Sequence, residues 1–316
     1  MPRRLRILTW HVHGNYLYNL TQVPHDFYLA TDATHSPGHA GRVGALPWGD
    51  NVHEAPLERL EDMQFDVILY QHRAGWESDR PRWLNAAQQN LPRIYLEHDP
   101  PQQHPTNERH WVQDRGAVLV HCTHFNALMW DAGETPTRVI EHGVKPLAAE
   151  RWHGAQARGL VVVNQLGRRG RRLGLDLYLG LREQVPLMLA GMDSETLPGG
   201  IGEVSQLELP RLMAAQRFFF HPVRYTSLGL ALIEAMLVGQ PVVGLATTEL
   251  ATLIRSGDEG FVDNRPAALV DAMQQLLRDP DLARDWGARG RALALRRFNI
   301  DRFVADWLQL LHEVTT

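Results

Sequence analysis

The chain has 316 residues, 44% hydrophobic and 22% charged, with a formal net charge of −4. That length sets a prior of two domains, and the apolar content suffices for two cores without disulfide or metal staples. The slight acidic excess argues against nucleic acid as a partner, because such binders carry a basic surplus.

The single cysteine, Cys122, cannot form an internal disulfide, which fits a reducing, cytoplasmic setting. The start, MPRRLRILTWHVHGN, has no apolar run of signal-peptide length. The most apolar window, 228–246, contains Glu234, Gln240 and Pro241, so it does not read as a membrane span.

In chain order, the first half carries predicted strands at 5–10, 26–31, 66–71, 93–98 and 117–122. The second half carries them at 160–165, 187–191, 217–222 and 241–246. Runs this apolar, without alternation, suit strands buried on both faces of a parallel sheet. Helical stretches between them make βαβ units.

Thr123 is a predicted N-cap for FNALMWDA, with Gly133 just past the end. Ser227 is a predicted N-cap for LGLALIEAMLV, with Gly239 and Pro241 closing it. Near the end, Phe303, Trp307, Leu310, Leu311 and Val314 share one helical face that needs a packing partner. The polar stretch KPLAAERWHGAQARG (145–159), with a proline and two glycines, places the domain break near 145–158, after which the β/α plan repeats.

The segment 221–244, HPVRYTSLGLALIEAMLVGQPVVG, carries the strongest chemical signal. A strand ends, and a loop leads through Thr226, Ser227, Leu228 and Gly229 into a helix. Free N–H groups at a helix start attract anions, and Gly229 lets a ligand approach the backbone. Glu234, two turns from Thr226, can accept two hydrogen bonds from a ribose-like diol. The bland alternative is a buried helix with one stray carboxylate.

This segment resembles the donor-binding motif E-P-F-G-L-x-x-x-E-A-M-x-x-G-x-P-V-V of family 4 glycosyltransferases. Gly229, Leu230, Glu234, Ala235, Met236, Gly239, Pro241, Val242 and Val243 match it in register. The resemblance implies that Glu234 holds the donor ribose. Thr226 stands where the family has the Glu that contacts the donor sugar. Residues 161–178 resemble the family's G-R-L-x-x-x-K-G-x-D through Gly167, Arg168, Gly174 and Asp176. The implied role is neutralising a diphosphate, with Arg168 in the Arg position and Leu173 in the Lys position. Arg171 or Arg172 is then expected to supply the missing charge, the arginine fork being suited to phosphate.

Residues 94–100, IYLEHDP, resemble the strand end where the family's His faces the donor sugar. His98 is therefore the candidate catalytic residue, expected to donate to a sugar hydroxyl or support the departing charge. The first β–α loop, TWHVHGNYLYN, is expected to bring Gly14 to the donor phosphates, with His13, Asn15 and Tyr16 lining the cleft. Residues 139–144 and 257–262 resemble smaller family turns, and 246–254 the loop that carries a donor-side Glu, here Glu249. His11, His13, His98, His104 and His110 lack the close spacing of a zinc site, so no metal is expected.

Together the resemblances imply an α/β fold of two doubly wound Rossmann-like domains facing a cleft, the GT-B arrangement. The expected division is an acceptor-side domain at 1–147, a nucleotide-sugar domain at 158–299, and a final helix at 300–316 packing back on the first. The implied activity is metal-independent transfer of a sugar, with retention, from a UDP- or GDP-type donor to a glycan, lipid-linked or small-molecule acceptor. Trp48, Trp76 and Arg73 raise the prospect of peripheral contact at the inner face of a membrane. A nucleotide-sugar epimerase on this scaffold, or a non-catalytic binding module, are the alternatives, and Thr226 and Leu173 feed the second.

Overall fold

The computed structural model describes residues 3–316. It divides into two compact units: one runs through Gly143 and adds Ile300–Thr316, the other spans Val144–Asn299.

The first unit is built on seven parallel strands: β1 (Arg6–Thr9), β2 (Asp26–Thr31), β3 (Val52–Pro56), β4 (Val67–Tyr70), β5 (Arg93–Glu97), β6 (Ala117–His121) and β7 (Thr137–Val139). Their order is β3-β2-β1-β4-β5-β6-β7, so the chain winds outward in both directions from the β1/β4 pair. Neighbouring residues on a strand go to opposite faces. Leu8, Ile68, Tyr95 and Leu119 join one core with Trp10 and Tyr70, while Ile7, Val67, Ile94 and Val120 are buried on the other face. Burial on both faces explains the unbroken apolar runs. The helix Ile300–Thr315 belongs to this unit and buries Phe303, Trp307, Leu310 and Leu311, with Val314 half-buried.

The second unit has five parallel strands: β8 (Gln156–Val162), β9 (Leu187–Ala190), β10 (Gln216–His221), β11 (Val242–Leu245) and β12 (Gly260–Asp263). The order is β12-β11-β10-β8-β9. The three consecutive phenylalanines of β10 are divided between its faces. Phe218 and Phe220 pack with Val161, Leu189, Val243 and helix residues Leu269 and Met273. Phe219 packs with Leu160, Val242 and helix residues Leu232, Ile233 and Met236.

Each sheet therefore has one place where successive connections leave in opposite directions: between β1 and β4, and between β8 and β10. In doubly wound sheets, ligands bind at the carboxyl ends of the strands beside such a switch point.

The strands β3, β7 and β12 were absent from the sequence reading, and all three are sheet edges. An edge strand is paired on one side and half-wetted, so its composition is less apolar. Strand β3 is VHEAP and β7 is only TRV. Thr123 does cap its helix, accepting from the Asn126 N–H at 3.0 Å, but that helix stops at Met129. Ser227 does not cap: the helix spans Leu230–Val238 with Gly229 at its N-cap and Gly239, at φ 95°, as C-cap.

Candidate functional site

In the second unit, two loops flank the β8/β10 switch point. After β8 the chain passes through Asn164 and Gln165 into a single helical turn, Leu166–Arg169. Gln165 adopts φ 54°, ψ 40°, a left-handed conformation that costs a side-chain-bearing residue energy and recurs at ligand sites. Its amide oxygen accepts from the exposed Arg168 guanidinium.

The tighter turn that follows, Gly170–Leu173, closes on Gly174 at φ +89°. A Cβ there would lie 2.2 Å from the Pro222 carbonyl oxygen, in the loop after β10. Only glycine admits this approach, and it brings the two loops together. Arg224 and Tyr225 both donate backbone N–H bonds to the Arg172 carbonyl, at 3.0 and 3.3 Å. The Arg172 Nε–H returns a bond to the Tyr225 carbonyl at 3.2 Å. Arg172 is half-buried, and its Nη1 and Nη2 groups have no partner among the described residues.

Arg171 takes a different part from Arg172. It pairs with Asp176 at 2.6 Å, and Arg224 pairs with the same carboxylate at 2.6 and 2.9 Å. The Arg224 guanidinium holds Asp176 below the usual carboxylate range. Leu173, in the position expected to carry a lysine, is 3% exposed and belongs to the core. Its side chain is a packing element, not a vacancy in a charged site.

The β10 loop then presents Thr226, half-buried, and Ser227, whose Oγ is buried with no partner. A buried hydroxyl without a partner costs free energy unless a ligand or water meets it. The Leu228 side chain is core, 3% exposed, so a ligand meets only its backbone. Space beside Gly229 is open, with no atom within 4 Å of an added Cβ. Glu234 lies half-buried in the helix that follows, and desolvation pushes its carboxyl up to about 7. Glu249 is 4% exposed in its side chain and forms an ion pair with Arg297 at 2.6 Å. Beside it Thr248 is left-handed at φ 49°, and Thr247 Oγ1 donates to the Val223 carbonyl at 2.9 Å, tying the β11 loop to the β10 loop. The unit thus brings Arg172, Thr226, Ser227, Gly229 and the helix carrying Glu234 to one sheet edge, with Arg168 one turn away.

In the first unit, the β1/β4 switch point gathers aromatic and imidazole rings. His98 follows β5. Its ring centroid is 4.5 Å from that of His13 and 4.9 Å from that of Tyr16. Its Nε2 lies 3.0 Å from Gln71 Oε1, and Cys122 Sγ lies 3.9 Å from its Nδ1. Burial, with His13 and His142 near, holds His98 well below the usual imidazole range, so the ring is neutral near pH 7.

Tyr16 is 2% exposed and packs edge-on to His142 and Phe303, an interior position where a cleft-lining one was expected. Its neighbours Trp307 and Phe303 come from the amphipathic last helix, whose face needed burial. Gly14 opens the helix Gly14–Leu20, and a Cβ there would meet His11 Nε2 at 3.2 Å. Asn15 gives its carbonyl to the Asn19 amide at 2.8 Å, and His13 is exposed.

The other histidines are dispersed. His11 Nδ1–H donates to the Gly41 carbonyl at 2.6 Å. His110 accepts from the Val112 N–H and gives its Nε2–H to Glu97 at 3.1 Å. Among the described residues, no three His, Cys, Asp or Glu side chains form a group that could hold a metal ion. Trp48 and Trp76 are half-buried against ring partners, Trp48 beside His11 and Tyr18, Trp76 beside Tyr70 with Arg80 over its face. Arg73 pairs with Glu77 at 2.8 Å. No helix among the described residues is long and apolar enough to cross a membrane.

Two residues that stand out here were not singled out from the sequence. Gln71 is the polar residue that ends the apolar run VILYQ beside the switch point, a signal readable in principle. Arg224 gives no local signal, because its partner Asp176 is 48 positions away.

Residues 200–293 match the family model described as Glycosyl transferases group 1. A stretch of 90 residues is 30% identical to N-acetyl-alpha-D-glucosaminyl L-malate synthase of Bacillus anthracis, covering 28% of this chain and 24% of that protein. The chain thus matches about a quarter of that relative's length. Among solved structures, sucrose-phosphate synthase from Thermosynechococcus elongatus aligns at TM-score 0.68 and 18% identity over 99% of both chains. Anabaena HepE, solved in complex with UDP and glucose, aligns at TM-score 0.73 and 14% identity, over 98% of this chain and 100% of that one. At such identities the likeness speaks for the fold: two parallel-sheet, Rossmann-like α/β domains of the GT-B type.

Proposed function

We propose that the chain is a hexosyltransferase-type glycosyltransferase (EC 2.4) that binds a UDP- or GDP-type nucleotide sugar in its second unit. It passes the sugar, with retention and without a metal, to a glycan, lipid-linked or small-molecule acceptor. The observation that carries this reading is the pair of loops stitched together through Gly174 and Arg172 at the β8/β10 edge. They present an arginine with free Nη groups, an unpartnered buried hydroxyl on Ser227, and a helix start, all suited to an anionic diphosphate. Glu234, further along that helix, is the acceptor for a ribose diol.

The match to the group 1 family model over 200–293 and the UDP-bound relative support the donor class. Charge offset by arginine and backbone N–H groups supports metal independence, since these supply the stabilisation a cation would otherwise give. Because Leu173 is a core residue, its lack of charge is no mark of a decayed site. We assign transfer, rather than binding alone, on that ground and on the group 1 family match.

The test is a thermal-shift panel of UDP-glucose, UDP-N-acetylglucosamine and GDP-mannose with EDTA, on wild type, Glu234→Ala and Arg172→Met. A ligand that binds only the folded state raises its stability according to affinity. The expected result is one nucleotide sugar stabilising the wild type despite EDTA, with both variants losing the shift. Glycoside formation with added acceptors then separates transfer from epimerisation. Absence of any shift overturns the reading.

A further inference from the structure

The Gln71 side chain is 4% exposed, and its hydrogen bonds fix which way the amide points. Its nitrogen lies 2.8 Å from the Trp10 carbonyl and 2.8 Å from Thr9 Oγ1. A carbonyl can only accept, so that end of the amide must be the NH2 group. The amide oxygen is thereby turned to His98, 3.0 Å from its Nε2. An amide oxygen can only accept, so His98 must carry its proton on Nε2. Nδ1 then holds the lone pair and faces the buried Cys122 thiol at 3.9 Å.

We propose that Gln71 is a positioning residue that locks His98 as the neutral Nε2–H tautomer, the form in which Nδ1 is the ring's only hydrogen-bond acceptor. This deepens the transferase reading and rests on it. It also reverses the role expected from sequence, because the Nε2–H is already committed to Gln71 and the ring has no N–H left to give to a sugar. Around the ring stand His13, Tyr16, Gln71 and Cys122, with His142 near, and none of these is a carboxylate. The flanking Glu97 and Asp99 act on the Cys122 thiol, whereas the ring itself is governed by its burial and by the imidazoles of His13 and His142, all of which disfavour its charged form.

The test uses the full chain labelled with 15N-histidine, wild type and the variants Gln71→Met and Gln71→Glu. Two-bond proton–nitrogen spectra report which ring nitrogen bears the proton, independently of activity. In the wild type, His98 should show a protonated Nε2 whose hydrogen exchanges slowly, and a bare Nδ1. In Gln71→Met, that hydrogen should exchange at least tenfold faster. In Gln71→Glu, the carboxylate should raise the pH at which His98 protonates by a unit or more. Sugar transfer by Gln71→Met should fall about tenfold in kcat, the low end of what a positioned proton-handling group contributes. Its nucleotide-sugar thermal shift, which reads the second unit, should stay as in the wild type.

An Nδ1–H tautomer in the wild type, a charged ring at neutral pH, or unchanged exchange in Gln71→Met would overturn the lock. Unchanged kcat in Gln71→Met, with the lock present, would overturn its role in transfer. If no nucleotide sugar binds the wild type, the transferase reading fails by itself, and the ring spectra still decide the lock.

Discussion

The most discriminating perturbation of the donor site is pH, applied to Glu234. Burial pushes its carboxyl up to about 7, so near neutrality about half the molecules carry the acid form. Only the carboxylate can accept two hydroxyl bonds from a ribose. If binding needs that form, affinity follows its population: roughly 10% at about pH 6 and roughly 90% at about pH 8, a difference near tenfold, or about 1.4 kcal/mol. The diphosphate of a nucleotide sugar is esterified at both ends and does not titrate in this window, so the ligand adds no slope of its own. Glu234→Gln keeps the shape but offers one acceptor oxygen in place of two. Losing part of a charge-assisted bond should cost about 1–2 kcal/mol, roughly five- to thirtyfold in Kd. It should also flatten the pH dependence. Isothermal titration at constant ionic strength, with EDTA, measures both. A wild-type Kd that stays constant from pH 6 to 8, or a slope that survives in Glu234→Gln, would show that this carboxyl does not meet the ligand.

Three other outcomes follow from the same structure. Gly174→Ala forces a positive φ on a residue with a Cβ and drives that Cβ against the Pro222 carbonyl. We expect a loss of about 3 kcal/mol and a melting point lower by roughly 6–12 °C, read by calorimetry; a change under about 2 °C would mean the two loops are not tightly coupled. His121 is fully buried with neither ring nitrogen partnered, so His121→Leu should leave stability unchanged or raise it by about 1 kcal/mol in urea unfolding, and a loss beyond that would reveal a hidden partner.

The pH dependence of stability has a definite sign. Burial lowers His110 to about 3 and His121 and His221 to about 4, and raises Glu97 to about 8 and Glu234 to about 7. The histidines contribute stability that is full above about pH 6.5 and is lost as pH falls toward their folded values. The carboxyls contribute stability that is full below their ordinary range and is lost as pH rises through 7 and 8. Below about pH 6.5 these histidines, joined by the buried His98, outweigh the two carboxyls, and above it only the carboxyls act. Stability measured by urea unfolding should therefore peak near pH 6.5 and fall by about 2 kcal/mol by pH 8. A curve still rising over that interval would contradict these shifts.

Much of the fold could be read because parallel strands buried on both faces are unbroken apolar runs. RFFFHP and DVILYQ cannot be surface segments, and each became an interior strand. Reading failed where burial is partial: the edge strands β3, β7 and β12 carry too few apolar residues to stand out. The Ser227 cap failed for a different reason. Serine is a good N-cap by type, but the chain needs two more residues before it turns, and Gly229 takes the cap with extended backbone.

The candidate site divides along the same line between local and distant causes. Gly174, Arg172, Gly229 and Glu234 sit in short segments whose spacing sets their geometry, so a motif can find them. What each polar group does depends on partners far along the chain. Arg171 matched a phosphate-binding position by type, yet Asp176 claims it together with Arg224. Glu249 matched a donor loop, yet Arg297, 48 positions on, holds its carboxylate. His98 matched a strand end, but its proton is placed by Gln71, itself fixed by the backbone of Trp10 just past the end of β1. Residue type and spacing limit which chemistry is available, and the sheet order decides which donors and acceptors meet. For this chain the choice between an imidazole that donates and one that accepts is made by the adjacency of β1, β4 and β5, which no segment of the sequence contains on its own.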